Sequence, residues 1–433
     1  MATMIWGLGV RAWGLGVICM VLACGRESVR IEEVRSPSGT AAAADPSLAL
    51  DPRSGDWLMT WVSDGSLWFA RTSDRAATWS APVRVSSTPG DVHPHGESSA
   101  RLVASPRGVL AAVWTNSVDV AGRQWPASNI RFARSSDGGA TWSRTITLND
   151  DSAGAPGGHI FHGVAWSGDS SLLVTWLDER GGATPGDSAA EGGGGGTHPG
   201  HHPETMLEPD ARIYLASSTN GGGRWGPNQP LWGAACPCCR VSLAREPDGS
   251  VVAGWRKHFA GSVRDPVVAP VVSRGALPAE TRVATDGWVY PGCPHTGPGV
   301  GVDARGTIHV AWFTGKLKGE GVFYARQPAG ASFAPPVEVV GGRMTAHPRV
   351  AALPDGGAIV AADIDSREYI GLTLARISSA GTVVGRRKVA SALGADHPDV
   401  IALPDSSVLV AWTQKEKVAE ESRTRIRIIR VVP

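Results

Sequence analysis

A tryptophan closes the second of two apolar runs again and again along this chain, and that recurrence restricts the fold more than any other feature. The unit is an apolar stretch, a Pro-Asp-Gly-like turn, then a second apolar stretch ending in Trp. Val241-Ser242-Leu243-Ala244, Pro247-Asp248-Gly249 and Val251-Val252-Ala253-Gly254-Trp255 make one copy. Val400-Ile401-Ala402-Leu403, Pro404-Asp405 and Val408-Leu409-Val410-Ala411-Trp412 make another. The closing positions are Trp61, Trp114, Trp176, Trp255, Trp312, Ala362 and Trp412, spaced 50 to 79 residues apart. Two more strand-like runs follow, as at residues 67–71 and 82–85. Four short strands on a period of about 40–60 residues describe propeller blades, whose small sheets bury their faces only against one another.

The reading is therefore an all-β, seven-bladed β-propeller, with strands lettered A to D from the axis outward. Unit seven supplies only three strands before the chain stops. The missing one is predicted at residues 29–34, Val29-Arg30-Ile31-Glu32-Glu33-Val34, so that an N-terminal strand closes the ring and leaves no sheet edge open. Composition agrees: 55 Gly and 31 Pro in 433 residues demand many turns. Lys plus Arg is 41 against 40 Asp plus Glu. That balance excludes the electrostatic footprint of a nucleic-acid binder.

Residues 1–23 read as an export signal, leaving residues 24–433 as one propeller domain. Arg11 is the positive flank, and the apolar stretch from Ala12 to Leu22 is too short to span a bilayer. Val21-Leu22-Ala23-Cys24 resembles a bacterial lipobox, although Leu22 sits where a small residue is commoner. The resemblance implies lipidation of Cys24, a membrane anchor, and an outer-membrane or cell-surface lipoprotein, expected to be a monomer.

Three C-to-D junctions share a further motif: Ser135-Ser136-Asp137-Gly138-Gly139-Ala140-Thr141-Trp142, the looser Thr72-Ser73-Asp74-Arg75-Ala76-Ala77-Thr78-Trp79, and Ser218-Thr219-Asn220-Gly221-Gly222-Gly223-Arg224-Trp225. These resemble the Asp-boxes of the sialidase-like (bacterial neuraminidase repeat) superfamily. In that family they lie on the face opposite the active site, and sialidases add three arginines, a Tyr–Glu pair and an acidic Asp. The carry-over is partial. Arg101, Arg240 and Arg349 stand at strand-A starts and would form an anion clamp, and Asp265, in the B-to-C loop of blade 4, would supply an acid. No Tyr–Glu pair matches, Arg30-Ile31-Glu32 lacks the family's Arg-Ile-Pro proline, and typical sialidases have six blades. The resemblance implies, as one option, an exo-sialidase-type glycoside hydrolase or an acidic-glycan-binding protein.

A different chemistry emerges when equivalent positions are compared. Seventeen residues before the closing positions stand Ala44, Glu97, His159, Cys238 and His295; nineteen before stand His95, Cys236 and Cys293; fifteen before stand His347 and His397. Equivalent loops converge on one mouth of the axial funnel, so these side chains are expected to ring it. Imidazole and thiolate in one place suit copper or zinc, held or used in redox chemistry. Thr197-His198-Pro199-Gly200-His201-His202 follows the glycine run 192–196 and would reach over the same mouth. The alternatives stay open. In an exported chain Cys236, Cys238, Cys239 and Cys293 would also serve as disulfides, and the top face would also serve as a scaffold for another envelope protein.

Overall fold

The computed structural model describes residues 29–121, 126–151, 157–180, 211–316, 319–342, 345–365, 369–418 and 421–433. The expected export signal, Cys24 and the loop holding His198, His201 and His202 lie outside these residues. Seven four-stranded antiparallel sheets succeed one another along the chain. The innermost strands are Ala44–Leu50, Arg101–Ala104, His159–Ser167, Ser242–Arg245, Gly299–Val302, Thr345–Ala352 and Ala395–Ala402, for blades 1 to 7. Each touches the next, and the last touches the first, so the sheets ring a central axis. Among the described residues no helix is long and apolar enough to cross a membrane.

The N-terminal strand Arg30–Val34 is the outer strand of blade 7, paired antiparallel with Glu421–Val432 in the register Arg30↔Val432 to Val34↔Ile428. Arg430 and Arg427 reach Glu32 and Glu33 across that pairing at 3.0 and 2.9 Å. Closure comes from main-chain pairing, because these exposed ion pairs contribute little. On the inner side the Leu48 N–H of blade 1 donates to Asp399 of blade 7 at 2.8 Å, which fastens the ring where the chain ends meet.

The closing tryptophans are the cores between blades. Trp61, Trp114, Trp176, Trp255, Trp312 and Trp412 are all fully buried. Their indole N–H groups mostly find acceptors: Trp114 the Asp91 carbonyl, Trp176 Asp178, Trp312 Asp286 and Trp412 Gln414. Blade 6 uses Ala362 instead, against a neighbour core of small aliphatics. The three C-to-D turns share one hydrogen-bond pattern. In the second, the Asp137 carboxylate accepts from the Thr141 N–H, the Thr141 hydroxyl and the Ser135 hydroxyl, and Asp74 and Asn220 repeat the main-chain bond. These bonds hold the Asp74 and Asp137 carboxyls down at about 2.

One expectation is corrected here. Arg264 and Asp265 lie inside the third strand of blade 4, Val263–Pro270, and not in a loop. Lys257 and Asp265 are cross-strand partners, and the pairing runs on to Phe259 and Val263.

Truncating a closing tryptophan should open a large cavity. Trp412→Ala is expected to cost about 3–5 kcal/mol, read as a lower urea midpoint with unchanged cooperativity. A loss below about 1 kcal/mol would mean that the blade 7 core is not built on this ring.

Candidate functional site at the axial mouth

The backbone at the starts of the inner strands is unusual. Register skips occur between Ala44 and Ser47, Ile160 and Gly163, Ala346 and Arg349, and Asp396 and Asp399. Within these bulges Asp45, Phe161, His347 and His397 adopt φ of 52°, 60°, 49° and 47°, and His295 in blade 5 adopts 47°. Left-handed backbone is costly for a residue with a Cβ, and bulges re-aim side chains. Here they bring His347 and His397 together, with ring centroids 3.6 Å apart.

Four thiols and one imidazole gather beside that pair. The Cys236 and Cys239 sulfurs are 3.3 Å apart, and Cys236 and Cys238 3.8 Å. Cys238 also forms a group with Cys293 and His295, its donor atoms lying within 4.8 Å of one another. No disulfide links these four cysteines, and Cys236, Cys238 and Cys239 are buried. Beneath them Arg256 is 1% exposed and gives its hydrogen bonds to the carbonyls of Thr296, Arg264 and Phe313. Burial alone would raise every thiol. For Cys236 it is outweighed by hydrogen bonds from Cys238 and Cys239 and by the charges of Arg264 and Arg256, which hold that thiol well below its ordinary value. Burial, followed by its contact with Cys236, pushes Cys239 up to about 12. The cluster thus favours one thiolate over two buried guanidiniums.

The remaining sequence-derived candidates divide by position. His95 is half-buried, its Nδ1 accepting from the Ser98 N–H at 3.3 Å. Burial, then the neighbouring His295 charge, lowers it to about 4, so it is a neutral imidazole with its proton on Nε2. Gly96 beside it lies flat on His397; a Cβ there would meet the ring at 2.2 Å. Glu97 is fully buried and accepts from Arg240 and from the Gly297 N–H, which leaves it an ion-pair partner and not a ready metal ligand. His159 is held away from the others, between blades 2 and 3, by the Ser128 carbonyl at 2.6 Å and facing Asp151 at 3.1 Å. Asp265 is buried against Arg282 and the Gly287 N–H.

The three arginines do converge, just below the mouth, around an axial cavity of about 340 Å³. Arg240 pairs with Glu97, Arg101 with Asp399 at 2.9 Å, and Arg349 bonds the Pro398 carbonyl. Burial, then the charges of Arg240 and Arg101, push Arg349 below the ordinary arginine range, although a guanidinium stays protonated at neutral pH. His162 lines the same cavity as a buried neutral ring, lowered to about 3 chiefly by burial. Sequence reasoning missed Asp45, Asp363, Asp396 and Arg256. Asp45-Pro46 was the available signal, because it matches His347-Pro348 and His397-Pro398.

With this geometry in view, other known proteins bear on the fold. An ulvan lyase of polysaccharide lyase family 25 aligns over 92% of this chain and 95% of its own, at 11% identity and TM-score 0.54. A Dyadobacter fermentans protein of unknown function aligns over 93% and 99%, at 13% identity and TM-score 0.50. The likeness is one of fold, a seven-bladed β-propeller. The NanB sialidase of Streptococcus pneumoniae aligns over 87% and 83% at 10% identity, with a TM-score of 0.47, too loose to carry weight. No protein-family model and no curated protein sequence matches the chain. At such identities the likeness extends to architecture and stops there.

The Glu97–Arg240 pair yields a sign-defined test. Burial raises Glu97, but the Arg240 charge, with those of His347 and Arg349, brings it below 4.5. A folded value below the unfolded one stabilises fully above pH 4.5, and the contribution fades as pH falls through the folded value. Glu97→Gln is expected to cost about 3–5 kcal/mol near neutral pH, because Arg240 is left buried without its counter-charge. The gap to wild type should narrow in urea unfolding near pH 3. An equal gap at both pH values would show that the pair is not the source.

Proposed function

We propose that this propeller is a metal-binding protein of the cell envelope, exported and lipid-anchored at Cys24. Its primary site is centred on Cys238 and takes copper or zinc. The observation that carries the reading is the convergence of four cysteines without a disulfide and the His295 imidazole from the pre-strand loops of blades 4 and 5. Cys238 belongs to two donor groups: a fully buried trio with Cys236 and Cys239, and a partly open one with Cys293 and His295. A mixed sulfur–nitrogen set selects a soft or borderline ion, and the exposed side leaves room for a further ligand. The guanidiniums of Arg256 and Arg264 favour thiolate, the form that binds metal.

The test is metal content by plasma mass spectrometry on the chain from residue 25 onward, purified from a periplasm beside Cys238→Ser/His295→Ala. The reading expects one equivalent of copper or zinc fewer in the variant. Equal metal in both, with the four cysteines oxidised in the wild type, would make the cluster a structural staple.

A second reading rests on the arginines. Arg101 and Arg240 take the two carboxylates of the axial cavity while Arg349 has a carbonyl, a surplus of positive charge suited to an acidic sugar. The ulvan lyase of the same fold is bound to a GlcA–Rha3S unit. In calorimetry with sialylated or uronate-bearing oligosaccharides, this reading expects binding that Arg349→Ala abolishes. Heat that survives the substitution would exclude the cavity as the sugar site.

A further inference from the structure

We propose a second cation site on the neighbouring arc of the mouth, formed by His347, His397, Asp363 and Asp396, that takes a divalent first-row transition ion. One donor atom from each of the four lies within 4.8 Å of the others. The set shares no side chain with the thiol cluster, so it stands whether or not the thiols bind metal. Its donors are imidazole nitrogen and carboxylate oxygen only, which suits a harder ion than the sulfur set does.

Two buried carboxylates point to a ligand. Asp363 is 7% exposed; its Oδ2 meets His347 Nδ1 at 2.7 Å and the His397 N–H at 3.3 Å, while its Oδ1 has no hydrogen-bond partner. Asp45, 6% exposed and in the position of blade 1 that His347 and His397 occupy in theirs, likewise leaves Oδ2 without one. An unsatisfied buried carboxylate oxygen is costly, and a cation held within the set would satisfy the one on Asp363. Asp396 completes the set, binding His397 Nδ1 at 2.6 Å and, by its other oxygen, Lys415. Each histidine thus has its own carboxylate on Nδ1, the arrangement that orients imidazoles toward metals through Nε2. His347 Nε2 also lies 3.1 Å from the His295 carbonyl.

The protein, stripped with a chelator and kept reduced by a phosphine, would be titrated with Co²⁺ while its absorption spectrum is followed. The wild-type chain is expected to take two equivalents, one giving the near-ultraviolet thiolate charge-transfer band and one giving only weak visible bands. Cys238→Ser/Cys293→Ser should keep the second alone, and His397→Ala should keep the first alone, with at least a tenfold loss in affinity for the other. One equivalent without charge transfer would sink the thiol reading and leave this one standing. One equivalent with charge transfer, unchanged by His397→Ala or by the milder Asp363→Asn, would overturn the second site. Near-ultraviolet circular dichroism of each variant separates loss of the site from loss of the fold.

Discussion

The left-handed bulge at the start of an inner strand is the constraint from which the mouth follows. A residue with a Cβ in that conformation costs roughly 1–2 kcal/mol relative to ordinary backbone, and the chain accepts it at Asp45, Phe161, His347 and His397. In three of the four a proline comes next, fixing its own φ and holding the chain extended into the strand. A regular strand would send successive side chains alternately into the two neighbouring blades. The bulge turns one of them toward the axis instead, which is why side chains from blades far apart in sequence meet. Strain of this kind collects where a structure holds chemistry.

Charge organises what the bulges bring together. Inside the axis, arginines pair with carboxylates of other blades: Arg101 with Asp399, Arg240 with Glu97. Each pair joins non-adjacent elements, so the interior is cross-tied by buried ion pairs whose separation would leave a naked charge. Above them the balance changes. On one arc thiols sit over Arg256 and Arg264, and on the other carboxylates surround two stacked imidazoles. On that second arc Asp363 Oδ1 is left without a hydrogen-bond partner.

Trp61 through Trp412 made the ring legible in the sequence because one large side chain per blade has to be buried between sheets, and the spacing survives loops of very different length. The closing strand followed from a missing fourth run. The site was less open to reading. Counting back from the tryptophans placed Cys238, Cys293 and His295 together, but it also enlisted His159 and Glu97, which fold into a blade junction and an ion pair. A fixed offset cannot track bulges that shift register by one or two residues. The aspartates escaped for another reason. Asp363 lies just after a closing position and Asp396 just before a histidine, where a carboxylate looks like ordinary solvation until the fold shows it buried.

The two donor sets also differ in how they are assembled. Cys236, Cys238 and Cys239 come from a single turn, closed by the Cys239 N–H on the Cys236 carbonyl at 3.3 Å, and Cys293 and His295 from the next loop. Such a cluster needs two neighbouring blades and little else. The histidine–carboxylate set draws two residues from each of the adjacent blades 6 and 7, and only Asp45 of blade 1 beside it lies across the closure between the chain ends. Closure there rests on strand pairing at residues 30–34 and on the bonds that Asp399 and Thr413 make to the first inner strand. Both donor sets are therefore built on a pair of neighbouring blades, and Asp45 alone ties the histidine–carboxylate set to the closed ring.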